Sequence, residues 1–192
     1  MPQLATHMLR VVGVGKIILS GWKENIDRDL VMRTLLLHDM GNIVKFDLVD
    51  QIMSIENIEH WRTVQKEWWD KYGKNAHVAT TKIVAELEQD DANEVMEREH
   101  AGYVSDNPAK LLEQGWPEKI LSYCDVRVVP AGVVPMKERI ADLQTRYGRE
   151  IGWYNFLYKL EEQIREQTTI DLDKITEKDV EPLFDELLGY NM

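Results

Sequence analysis

The chain has 192 residues, 44% hydrophobic and 30% charged, a one-domain length with enough apolar material for a core, which excludes a disordered or fibrous chain. Acidic residues number 34 against 23 basic ones, a formal net charge of −11, which argues against duplex nucleic acid because that partner needs a basic face. The single cysteine, Cys124, excludes an internal disulfide framework and a multi-cysteine zinc site.

Leu4, Met8, Val11, Val12 and Ile18, spaced by threes and fours, predict a first helix over residues 3–20. Gly13 and Gly15 lie inside it and each cost about 1 kcal/mol relative to alanine; they are read as places where another helix approaches closely. Arg10 and Lys16 interrupt the segment and no small-residue cleavage site follows, so it is not read as a secretory signal. No run reaches the ~18 apolar residues of a membrane helix, and the chain is expected to be cytoplasmic.

Asp27 is a good N-cap for a second helix that runs through Leu35-Leu36-Leu37 to Met40, with Gly41 as its stop. The continuous leucine run predicts a central helix buried on most sides. A short helical turn over 46–53 follows, then helices over 55–72, 76–88 and 91–104, the last capped by Asp91. Pro108 sits in the first turn of a helix expected to continue to about residue 128. Pro130 and Pro135 bracket a loop and demote the strand-like stretch 126–134. Helices over 136–147, 150–166 and 177–188 complete the chain. The expectation is an all-α fold without internal repeats.

Five histidines stand out in so acidic a chain: His7, His38, His60, His77 and His100. His38-Asp39 closes the central helix. Alone, the pair reads more simply as a satisfied core or capping element. Asp125 falls in the apolar run from Ile120 to Val126, where an ionised carboxylate costs several kcal/mol to bury unless it is paired or bound to a metal. Imidazole and carboxylate donors carried on five helices suit Fe, Mn, Co, Ni or Zn rather than Ca.

The order and spacing of these residues resemble the HD-domain superfamily of metal-dependent phosphohydrolases. His7 on the first helix, the segment from Leu35 through His38-Asp39 to Gly41, and the late Asp125 match its pattern. Many relatives carry Lys where this chain has Asn42. The resemblance implies a compact helical bundle with a metal site between its central helices, a core over about residues 4–130 and a helical extension over 135–192, all one domain. It implies His7, His38, Asp39 and Asp125 as ligands of one ion, with His38, Asp39 and Asp125 at the chemistry. His77 and His100 are implied as added ligands of a second ion bridged by Asp39, or alternatively as contacts to substrate phosphate around a single ion. One or two divalent transition-metal ions are therefore expected, each able to lower the pKa of a bound water from about 15.7 towards about 7 and so supply hydroxide.

Arg10, Lys45, Lys82 and Arg127 are the candidate cations for substrate phosphate. The implied activity is hydrolysis of a small phosphate ester, a nucleotide or related metabolite. The alternatives are a di-iron oxygenase of the same superfamily acting on a polyol or phosphonate, and a non-catalytic regulatory module. The expected partner is a small phosphate-containing anion, with no duplex nucleic acid and no membrane, and a homodimer left open. Gly13-Val14-Gly15-Lys16 lacks the spacing of a phosphate loop. Trp61, Trp68 and Trp69 read as core or interface, with base stacking as the sharper alternative, and His60 reads as a surface residue.

Overall fold

The computed structural model describes residues 1–48, 57–103, 108–148 and 154–191. In chain order its helices are α1 (Pro2–Ser20), α2 (Arg28–Leu37), α3 (Ile58–Tyr72), α4 (Ala76–Glu86), α5 (Asp90–Tyr103), α6 (Trp116–Val126), α7 (Met136–Tyr147), α8 (Asn155–Gln167), α9 (Glu177–Val180) and α10 (Phe184–Leu188). A two-residue antiparallel hairpin, β1 (Val128–Val129) with β2 (Gly132–Val133), is the one sheet among the described residues. The all-α expectation holds. None of the described helices is long and apolar enough to cross a membrane.

The local signals act where the sequence puts them. The Asp27 carboxylate accepts the Leu30 N–H at 3.0 Å and starts α2; Asn75 accepts the Val78 N–H at 3.0 Å and starts α4. Such a cap is worth about 1 kcal/mol. The close approaches expected at the α1 glycines are present. A Cβ on Gly15 would lie 2.2 Å from Leu35 Cδ1, and one on Gly13 would lie 2.5 Å from Val180 Cγ1. Leu35 of α2 and Val180 of α9 thus fill the space beside these glycines, and a larger residue at either would have to push a side chain aside.

Three boundaries differ from the expectation. α2 ends at Leu37, so His38 and Asp39 stand in a turn rather than inside the helix. The helix expected from Pro108 onward is a 3₁₀ segment (Pro108–Glu113) broken from α6 at Gly115, whose extended backbone Gly and the following Pro117 permit a fresh start at Trp116. The last helix is divided by a 3₁₀ turn at Glu181–Leu183, which contains Pro182. Residue 46 onward has no helix up to residue 48, and the rest of the turn expected over 46–53, like the starts expected at 55 and 150 and the end at 104, lies outside the described residues.

The main core draws on both halves of the chain: Val11 and Ile18 from α1, Leu35 from α2, Ile120 and Tyr123 from α6, Leu160 and Ile164 from α8, and Val180 from α9. Each large apolar side chain so buried contributes roughly 1.5–3 kcal/mol. A smaller core joins Ile43, Val44, Tyr72, Ala79 and Ile83, with Trp61, Trp68 and Trp69 packed against it. These tryptophans hold the irregular segment after the His-Asp pair. Trp69 Nε1 donates to the Val44 carbonyl at 2.8 Å, and Gln65 Nε2 donates to those of Ile43 and Phe46 at 2.7 and 2.8 Å. Buried carbonyls outside regular helix thereby find partners. His60 lies exposed beside Trp61.

Candidate metal centre

Three helices deliver four groups to one point. His7 projects from α1, His38 and Asp39 follow the last residue of α2, and Asp125 is the penultimate residue of α6. His7 Nε2 lies 3.0 Å from Asp125 Oδ1 and 3.4 Å from Asp39 Oδ2. His38 Nε2 lies 3.6 Å from Asp125 Oδ1 and 3.8 Å from Asp39 Oδ2. One ligating atom from each of the four sits within 4.8 Å of all the others.

The ring of His38 is fixed from behind. Its Nδ1 lies 2.8 Å from the Leu35 carbonyl oxygen, which can only accept, so Nδ1 carries the hydrogen and Nε2 presents its lone pair. That Nε2 is buried and has no hydrogen-bond partner among the described residues. An orphaned buried lone pair facing two carboxylates and a second imidazole fits a divalent transition-metal ion. The ligands would be His7, His38, Asp39 and Asp125.

The electrostatics agree. Burial by itself would lower the pKa of His7, but its hydrogen bonds to Asp125 and Asp39, and their charges, outweigh burial and hold it up at about 9. His38 is likewise raised, burial being overcome by the charges of Asp39 and Asp125. Burial pushes the two carboxyls up, yet the imidazoles outweigh it and keep both below the usual carboxylate range. The pocket therefore favours positive charge, which a divalent cation supplies in place of imidazolium protons. Asp125 is the most open of the four, its side chain 47% exposed, which leaves an approach from the adjoining cavity.

That cavity, of about 550 Å³, is walled by His38, Asp39 and Asp125 on one side and by Asn42, His77 and His100 among the others. His77 on α4 and His100 on α5 stack with centroids 3.6 Å apart, and His77 Nε2 turns to Glu97 Oε1 at 3.2 Å. Burial, reinforced by the neighbouring His77, lowers the pKa of His100. The pair faces the cluster across the cavity. Among the described residues, no group of three or more ligating side chains within bonding range includes either of them.

The four candidate cations separate. Lys45 lines this cavity and makes no hydrogen bond or ion pair among the described residues, while its charge helps keep Asp39 ionised. Arg10 lines a neighbouring cavity, with Nε donating to Glu177 Oε1 at 2.7 Å. Lys82 points elsewhere, towards the Tyr72 carbonyl at 3.4 Å, and lines neither cavity. The expectation for Arg127 is corrected. It is 0% exposed, and it donates to the Val134, Leu172 and Ile175 carbonyls and the Tyr123 hydroxyl, so it holds the fold together and cannot meet a substrate. Two residues beyond Asp125 in a helical turn, its side chain is carried to another face.

Sequence reasoning missed Glu99. It lines the cavity beside Asp125, accepts a hydrogen bond from the Ser122 hydroxyl, and is pushed up to about 7 by burial. The signal was present: Glu99 falls three and four residues after the buried Met96 and Val95, on the inward face of α5.

A family model described as HD domain matches residues 4–125, more than half of the chain. The chain belongs to the HD-domain family. Searches among curated proteins and among solved structures found no match. The HD-domain match runs from the start of α1 to Asp125 and so contains all four clustered residues. An HD domain carrying a His/Asp group able to hold a metal ion points to metal-dependent hydrolase chemistry.

Proposed function

We propose that this HD domain is a metal-dependent phosphohydrolase that cleaves a small phosphate ester, a nucleotide or a related metabolite. The observation that carries the reading is the buried, unpartnered Nε2 of His38, set among three further ligating atoms at the floor of a cavity of about 550 Å³. That volume lies within the range of small-molecule sites. His7, His38, Asp39 and Asp125 would hold a divalent ion, which when bound would lower the pKa of a water towards about 7 and offset charge on a phosphoryl group.

The chain's own groups supply the rest. Lys45 and the buried Asn42 stand beside Asp39 and can donate to phosphate oxygens. His77 and His100 face the cluster across the cavity, where they can meet the substrate phosphate or hold a second ion. Glu99 hangs over the same cavity, one carboxylate oxygen held by Ser122, and accepts a proton from the attacking water.

The test is phosphate release from a panel of nucleotides and sugar phosphates with Mn²⁺, Fe²⁺, Co²⁺, Ni²⁺ and Zn²⁺, alongside metal content after anaerobic and aerobic purification. Release of phosphate with some metal is expected. Asp39→Ala should abolish it and weaken metal binding by more than the ~10–100-fold that follows loss of an outer-shell partner. Unchanged metal stoichiometry in that variant would refute the ligand assignment. Two irons per chain, with no phosphate released from any ester, would point to the oxygenase instead.

A further inference from the structure

The cluster stands between two cavities. Asp39, Asn42 and Lys45 line both, and His7 opens onto the second, of about 490 Å³. The second cavity has a different character. Its wall carries Arg10, Lys45, Arg139 and Arg146 beside Phe46 and Val129, and among the described residues lining it Asp39 is the one carboxylate. Arg10 is paired with Glu177, and Arg139 and Arg146 share Asp142, so with Asp39 the wall keeps a modest excess of positive charge in a chain of net charge −11.

The two α7 arginines are held ready. Asp142 accepts from Arg139 Nη1 at 2.6 Å and from Arg146 Nε at 2.7 Å, so one carboxylate fixes two guanidinium groups and leaves a net positive charge. Arg139 Nε is buried with no hydrogen-bond partner among the described residues. A buried donor of a charged group left unsatisfied costs about 1–3 kcal/mol or more, so this arginine is short of acceptors. Both arginines lie outside residues 4–125, in the segment appended to the matched HD domain.

We propose that this second cavity binds a second phosphoryl group of the same substrate, so that the enzyme acts on compact organic bisphosphates. One phosphoryl group meets the His/Asp cluster while the other is held by Arg139 and Arg146, with the carbon skeleton passing Lys45 and the apolar side of the cavity. The assignment rests on the phosphohydrolase reading for what occupies the cluster.

The experiment uses the full metal-loaded chain, calorimetry and initial rates, and two matched pairs: adenosine 3′,5′-bisphosphate with adenosine 5′-monophosphate, and fructose 1,6-bisphosphate with fructose 6-phosphate. At least one bisphosphate should bind about 10-fold or more tightly than its monophosphate, the value of one charge-assisted contact. Arg139→Gln with Arg146→Gln should bring that ratio to within about 2-fold of unity. Arg146→Gln alone, at a side chain 48% exposed and so little needed for folding, should cut the ratio by about 3-fold, and it decides the matter if the double variant does not fold. Equal affinities within both pairs, a preference that survives these substitutions, or no binding of any of the four compounds overturns the proposal. Preference without phosphate release keeps the second cavity and removes the hydrolase reading; phosphate release without preference does the reverse. A carboxylate-bearing monophosphate, 3-phosphoglycerate, binding as tightly as the bisphosphates would reassign the arginines to carboxylate.

Discussion

At the scale of single residues, Glu99 carries the sharpest expectation. Burial places it at about 7, beside Asp125 and against Ser122. A proton acceptor works ionised, and the ionised fraction of a carboxyl increases as pH rises through its pKa, so kcat should climb through about pH 7 and level off above it. Glu99→Gln, nearly the same shape, should lower kcat by about 10²–10⁴-fold while leaving metal content unchanged. Side-by-side pH–rate profiles and metal analysis check it; a variant that keeps its rate but melts earlier would reduce Glu99 to a structural partner of Ser122. The residues that were legible here are those fixed by order along the chain, His7, His38, Asp39 and Asp125. Arg127 was not, because a charge is read from sequence as solvent-facing by default, whereas this guanidinium satisfies carbonyls at Val134, Leu172 and Ile175 that become neighbours only in the folded chain.

Among elements, the turn after α2 shows why a glycine follows the His-Asp pair. A Cβ on Gly41 would lie 2.4 Å from Thr80 N and 2.7 Å from Ala76 O, both backbone atoms of α4, which cannot rotate aside. Gly41 N–H in turn donates to Thr80 Oγ1 at 2.9 Å. The glycine is thus the seat on which the helix bearing His77 docks. Gly41→Ala should cost about 3 kcal/mol, the upper end of ordinary overpacking, measured by urea unfolding, because the rigid partner has to move. From sequence the same glycine was read as the stop of α2, but the helix ends at Leu37 and Gly41 instead leads into the short segment Asn42–Lys45. The helix ended earlier than its apolar run suggested, since Leu37 is the last buried leucine and the chain then turns to place His38 and Asp39. Likewise the break before α6 was hidden: periodicity across residues 108–128 does not reveal a change from 3₁₀ to α geometry, and Gly115 was the available cue.

For the molecule as a whole, the HD match ends at Asp125 while the core does not. Leu160, Ile164, Val180 and Leu187 pack into the same core as α1 and α6, and Arg127 ties the end of α6 to Val134, just beyond β2, and to Leu172 and Ile175. Arg127→Met should therefore lower stability by about 3–5 kcal/mol, because it strands several buried acceptors at once. Urea unfolding of the full chain measures it; a loss under about 1 kcal/mol would show the C-terminal segment to be held by apolar contact alone. The composition made a core of adequate size legible, and the helix periodicities in the C-terminal third were clear. Their docking onto the α1 glycines was foreseen only as an approach by some helix, because nothing local names the partner.

Where α2 stops also settles which nitrogen of His38 can share an electron pair. The carbonyls of a helix's last turn lack partners within it, and Leu35 offers such a group to Nδ1. If the helix ran one turn further, the Asp39 N–H would claim that oxygen by the regular spacing of four. The ring hydrogen could then move to Nε2, and the side chain would face the two carboxylates as a proton donor. One turn of helix, more or less, separates an electron-pair donor from a proton donor at the same atom.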